Sequence, residues 1–175
     1  MIEHPLGKQV RSSRLMFKYT TGMISAQLLL HLLVFPFFTM DVDSSGGNQW
    51  ISTLKFLVDL FFVVGSVCAF LTRVTDPGYL KKNENVKLLT LLEEFEPTEM
   101  CPVCQIITIP RSRHCNICNK CVDRWDHHCP WINSCIGRRN HAYFLIFVLS
   151  VWLYLLVLSV LFIVLLVLGS GGKLL

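Results

Sequence analysis

Charge is scarce in this 175-residue chain, and the places where it is missing are informative. Asp, Glu, Lys and Arg make up 16% of residues, against about 25% in an ordinary soluble domain. From Ala142 to Leu168 there is none for 27 residues, and from Thr39 to Trp50 there is no Lys or Arg. That loop also lacks cysteine, although the chain has eight. No Gly-rich phosphate loop and no repeat period is apparent. These absences exclude a soluble globular domain, a phosphate-loop nucleotide enzyme and a repeat array.

What fills the space is apolar. The hydrophobic fraction is 53% and the mean hydropathy +0.51. Three runs carry the excess: Tyr19 to Phe38, Ile51 to Thr72 and Ala142 to Leu168. Each reaches the roughly 20 helical residues that span a bilayer core of about 30 Å. The fold class expected is an α-helical integral membrane protein with three spans at 19–38, 51–72 and 142–168. The first follows a basic leader (1–18) and reads as a retained anchor, with no cleavage site after it. His31 within it reads as a packed or interface-facing polar residue, a functional site being the alternative.

Lys8, Arg11, Arg14 and Lys18 precede the first run, and ten Lys or Arg lie from Arg73 to Arg139. By the positive-inside rule the N-terminus and residues 73–141 are cytosolic, while the loop 39–50 and the tail 169–175 are lumenal or extracellular. The compartment expected is the Golgi, endoplasmic reticulum or plasma membrane. On the reducing side, cysteines are metal ligands or reactive thiols and not a disulfide framework.

Within the second run Lys55 and Asp59 stand one helical turn apart and read as a structural pair. Cys68 reads as a small packing residue. Asp76-Pro77-Gly78 stops the helix. In the linker 73–100, Leu88, Leu91, Leu92 and Phe95 predict a short amphipathic helix over 84–96.

The densest chemistry is in 101–141. Seven cysteines and three histidines fall from Cys101 to Cys135, ending in Asp126-His127-His128-Cys129. Pairs spaced Cys-x2-Cys suit tetrahedral zinc. Two structural ions need eight ligands; seven cysteines and four histidines, counting His141, leave at least three groups over. Only 35 residues long, the segment is too small to fold on its own core, so metal is expected to hold it together, with short hairpins such as Gln105 to Pro110 between ligand knuckles.

This block resembles the cysteine-rich domain of the DHHC-type protein S-acyltransferases, or palmitoyltransferases, through Asn140 and Phe144. Asp76-Pro77-Gly78 and the order of the spans extend the resemblance over roughly residues 20 to 168. The resemblance implies one zinc on Cys101, Cys104, His114 and Cys121, and a second on Cys115, Cys118, His128 and Cys135. It leaves Cys129 as the nucleophile, His127 as its base and Asp126 as the orienting carboxylate; His141 has no assigned role. A thioester-forming site needs a thiolate, which an imidazole held by a carboxylate supplies. The alternative at Cys129 is a spare or exchangeable zinc ligand.

The activity implied is transfer of a long-chain acyl group from acyl-CoA (palmitoyl-CoA), through a Cys129 thioester, to a cytosolic cysteine of a membrane-apposed protein. Arg111 and Arg113 lead the cations available to the CoA phosphates, with membrane lipid as the other partner. Family members typically have a fourth span, and this sequence ends after the third; a truncated chain with weak or absent turnover is the expectation. The rival reading is a membrane-anchored zinc-binding interaction module without catalysis. Nucleic acid is not an expected partner, since the basic residues lie where topology requires them.

Overall fold

The computed structural model describes Leu28, Leu29, His31, Leu32, residues 49–82, Glu93 and residues 100–169. The first expected span, the leader, the loop 39–50 and the amphipathic helix over 84–96 therefore lie mainly or wholly outside the described residues. The described residues fall into two compact units, one within residues 71–144 and the other drawn from the described residues before 71 together with 145–169.

In the second unit the described residues are helical. Helix α1 spans Gln49–Val74 and α2 spans His141–Gly169. Both are long and apolar enough to cross a membrane. Each runs a residue or two beyond the apolar run that forecast it, because backbone hydrogen bonding continues into the polar flanks where hydropathy stops. Ile51 and Val58 of α1 form one buried cluster with Tyr154 and Leu161 of α2. The spacing of seven within each pair is that of a helix–helix seam. Gly65 belongs to the same series, and a Cβ added there would lie 3.4 Å from Ser150 Cβ, so a small residue lets the backbones close. Outside the seam, Phe56, Phe70, Trp152 and Ile163 are exposed, as side chains facing lipid would be. Asp59 Oδ1 meets His31 Nε2 at 3.2 Å, and the His31 ring stacks on Phe62 with centroids 3.9 Å apart. His31 is thus a buried, partnered residue, as the packed reading expects.

The first unit is built from three antiparallel hairpins. Strands β1 (Met100–Cys101) and β2 (Ile106–Ile107) make the first. Strands β3 (Arg113–Cys115) and β4 (Lys120–Val122) make the second. Strands β5 (His127–Cys129) and β6 (Ser134–Ile136) make the third. The hairpin expected over Gln105 to Pro110 lies earlier: the Cys-x2-Cys segment itself reverses the chain. Gln105 N–H donates to Cys101 O at 2.8 Å, and Gln105 takes φ 53°, which leaves it inside the turn.

Where α1 ends, Asp76 Oδ1 accepts the N–H groups of Gly78 and Tyr79, both at 2.8 Å, an Asx-turn that replaces the helical bonds. Gly78 sits at φ 107°, a conformation only glycine adopts freely. The chain then lies along β4: Leu80 N–H donates to Cys121 O, and Gly78 O accepts from Asp123 N–H.

Candidate metal centres and the free cysteine

Sequence spacing hides how regular the hairpins are. Cys101, Cys104, His114 and Cys121 form one four-donor set; Cys115, Cys118, His128 and Cys135 form the other. Every member of the second lies 14 positions after its counterpart in the first (101 to 115, 104 to 118, 114 to 128, 121 to 135). The left-handed turn residues Gln105, Asn119 and Asn133, at φ 53°, 53° and 54°, keep the same step. A 14-residue repeat is present after all. Too few of its positions carry the same residue for the period to stand out, and a shift of 14 on the cysteines alone was the signal.

Each set takes a Cys-x2-Cys turn from one hairpin and a cross-strand His/Cys pair from the next. His114 lies opposite Cys121, and His128 opposite Cys135, at the separation that lets facing side chains touch. In the first hairpin the equivalent pair is Met100 and Ile107, which offers no His/Cys donors for a further set. Strand alternation separates neighbours: His114 and Cys115, adjacent on β3, point to opposite faces and serve different sets. The knuckles are tightened by Cys104 N–H on Cys101 Sγ (3.5 Å) and Cys118 N–H on Cys115 Sγ (3.4 Å).

The same periodicity accounts for Cys129. It occupies the first position of a third knuckle, but Ile132 stands where Cys104 and Cys118 stand earlier. Ala142 and Leu149 stand at the remaining equivalent positions. No third set exists among the described residues, and Cys129 is a free thiol, 3% exposed. On β5 the alternation works once more. His128 Nδ1 turns to Cys118 Sγ (3.3 Å), Cys115 Sγ and Cys135 Sγ (3.8 Å each), while His127 and Cys129, two residues apart, share the other face.

The donor distances fit zinc. Around His114 Nδ1 the sulfurs of Cys104, Cys101 and Cys121 stand at 3.2, 3.6 and 3.8 Å. A tetrahedron with bonds of about 2.3 Å to sulfur and about 2.0 Å to nitrogen has edges of roughly 3.5 to 3.8 Å. The thiols are also poised to share protons: the hydrogen bond from Cys135 lowers Cys118 to about 3 against the effect of burial, with His128 assisting, and pushes Cys135 up. So compact a thiol set gains from a dication that replaces its protons.

Beside this, Asp126 Oδ2 meets His127 Nδ1 at 3.3 Å and His141 Nε2 at 3.7 Å. The His127 ring also receives the edge of Phe144, with centroids 5.1 Å apart. His141 was counted in the sequence without a role; no spacing rule links it to Asp126. Asn140, fully buried, accepts Gly137 N–H and donates to Thr72 O and Cys135 O, all within 3.0 Å. It ties the end of α1 to β6 and to the start of α2. Gly137 is equally constrained: an added Cβ would lie 2.6 Å from Pro77 O and from Val122 Cγ1. Arg111 and Arg113 are exposed, Arg113 on β3. The charges of Arg138 and Arg139 are engaged with Asp123 (3.3 Å) and Asp76 (4.0 Å).

The sequence model described as DHHC palmitoyltransferase matches residues 94–169. The palmitoyltransferase akr1 of Schizosaccharomyces pombe is 32% identical over 157 residues, which is 77% of this chain and 24% of that protein. The palmitoyltransferase Hip14 of Drosophila melanogaster is 30% identical over 151 residues, 82% of this chain and 23% of its own. The palmitoyltransferase ZDHHC4 of Rattus norvegicus is 35% identical over 135 residues, 74% of this chain and 39% of its own. The chain thus spans between about a quarter and two fifths of the length of these relatives.

Proposed function

Since this chain belongs by sequence to the DHHC palmitoyltransferase family, we propose that it is a protein S-acyltransferase using Cys129 as its nucleophile. The observation that carries the reading is the partition of thiols: seven cysteines packed in α1 or assigned to four-donor sets, and one left over on a strand face shared with a carboxylate-held imidazole. The names of the relatives favour this reading over the zinc-dependent interaction module.

In the first step Cys129 Sγ forms a bond to the acyl carbonyl carbon of palmitoyl-CoA, and the bond from that carbon to the CoA sulfur breaks. His127 takes the thiol proton and returns it to the leaving CoA thiolate. In the second step His127 takes the proton of a substrate cysteine, whose sulfur bonds to the acyl carbon as the bond to Cys129 Sγ breaks, and His127 returns the proton to the released Cys129 thiolate. One thioester is exchanged for another each time, so positioning and thiolate formation carry the rate. His127 Nδ1 faces Asp126, which leaves Nε2 as the atom that moves the proton.

Zinc, held by the two four-donor sets, supplies the cross-links that stitch hairpin to hairpin. Arg111 and Arg113 attract the CoA phosphates. The two apolar helices support a membrane setting, and with a first span over 19–38 the proposal is a multi-pass protein of an endomembrane or the plasma membrane with its zinc domain cytosolic. A palmitoyl chain needs that setting, since each exposed CH₂ costs about 0.8 kcal/mol in water. Substrate proteins present cytosolic cysteines at the membrane.

The test is a single-turnover incubation of the full chain with palmitoyl-CoA, followed by peptide mapping. An acyl group on Cys129, released by neutral hydroxylamine and matched by free CoA, supports the reading. Label confined to another cysteine, or none, defeats it.

A further inference from the structure

We propose that His141 is a positioning residue of the transfer site, holding the Asp126 carboxylate in the orientation that fixes the tautomer of His127. The inference rests on the acyl-transfer reading for its consequence, though not for its geometry. A lone carboxylate 51% exposed is free to rotate toward water, and with it goes the polar partner that His127 Nδ1 has among the described residues. Here the same oxygen, Asp126 Oδ2, is flanked by two imidazoles, His127 at 3.3 Å and His141 at 3.7 Å. The longer contact is an electrostatic one rather than a full hydrogen bond.

Both Asp126 and His141 are themselves fixed through their backbones. Asp126 N–H donates to Ile136 O at 2.9 Å, which anchors its backbone to β6. His141 opens α2, its N–H donating to Gly137 O at 3.0 Å, directly after buried Asn140 with its three hydrogen bonds. Phe144, three residues on and so on the same helix face, meets the His127 ring edge-on. The first turn of α2 thus touches both members of the pair, His141 the carboxylate and Phe144 the imidazole. With Asp126 held on Nδ1–H, His127 Nε2 stays free of a proton and able to accept one.

The experiment uses the zinc-loaded full chain with ¹⁵N-labelled histidine, the His127 ring signals assigned by their loss in His127→Gln. The proposal expects His127 as the Nδ1–H tautomer in wild type and a mixture with Nε2–H in His141→Ala. It also expects His141→Gln, which keeps an amide donor, to restore the wild-type signature. Self-acylation from palmitoyl-CoA should fall about ten-fold or more in His141→Ala, with the half-saturating palmitoyl-CoA concentration unchanged and two zinc ions retained. An unchanged His127 tautomer in His141→Ala overturns the proposal, and so does loss of zinc, which would make His141 structural. If the tautomer shifts as expected while the wild type takes no acyl group, His141 keeps its role and the acyltransferase reading fails.

Discussion

At Gly137 there is no room for one more carbon. A methyl there would press on Pro77 O and Val122 Cγ1 at 2.6 Å and on Asp123 O at 3.0 Å, two of them backbone atoms that cannot rotate away. Gly137→Ala should therefore lower stability by about 1 to 3 kcal/mol, read as a lower thermal midpoint of the zinc-loaded chain. Asp76 gives a pH signature. Burial alone would raise its carboxyl, but the N–H groups of Tyr79 and Gly78 and the charge of Arg139 hold it below the usual value. A carboxyl so held stabilises the fold above its unfolded value of about 3.9, and the contribution fades as pH falls through the folded value. The stability difference between wild type and Asp76→Asn should thus be constant from about pH 7 to about pH 5 and shrink only below about pH 4. A difference that changes between those two upper values contradicts the assignment. At this scale the sequence was partly legible: Asp76-Pro77-Gly78 announced a helix stop, but Asn140 did not announce its bond to Thr72 O, which joins residues far apart along the chain.

Between elements, hydrogen bonds and the two zinc-capable donor sets share the task of holding three two-stranded hairpins that are individually too short to persist. Asn140→Ala removes the amide that donates to Thr72 O and Cys135 O and accepts from Gly137 N–H, and should cost about 2 to 4 kcal/mol, seen as loss of cooperative unfolding between the end of α1 and β6. The offset pairing of knuckle and strand pair makes the two metal centres unequal. The first joins hairpin one to hairpin two; the second joins hairpin two to hairpin three, which carries Cys129. Hydrogen exchange should then show Cys104→Ser exposing β1 to β3 while β5 and β6 stay protected, and Cys118→Ser exposing β5 and β6. Equal exposure in both variants would mean the hairpins do not depend on their own zinc. The ligand types were readable from spacing because metal chemistry dictates residue identity. The hairpin bounds were not, because a knuckle sets its own turn: Pro102 lies inside the first, but Asn116 and Ile117 at the same places in the second carry no Gly or Pro to mark it.

For the whole molecule the claims are a membrane protein and a division of labour among its cysteines. The two apolar helices predict that the chain stays with membranes through alkaline carbonate washing; release into the supernatant would contradict a spanning arrangement. The division of labour meets its most direct test in Cys129→Ser beside Cys135→Ser, each assayed for zinc per chain and for hydroxylamine-sensitive label from palmitoyl-CoA. The account predicts two zinc ions and no label for Cys129→Ser, and zinc loss for Cys135→Ser. Zinc loss in Cys129→Ser, or label that survives the substitution, would contradict it.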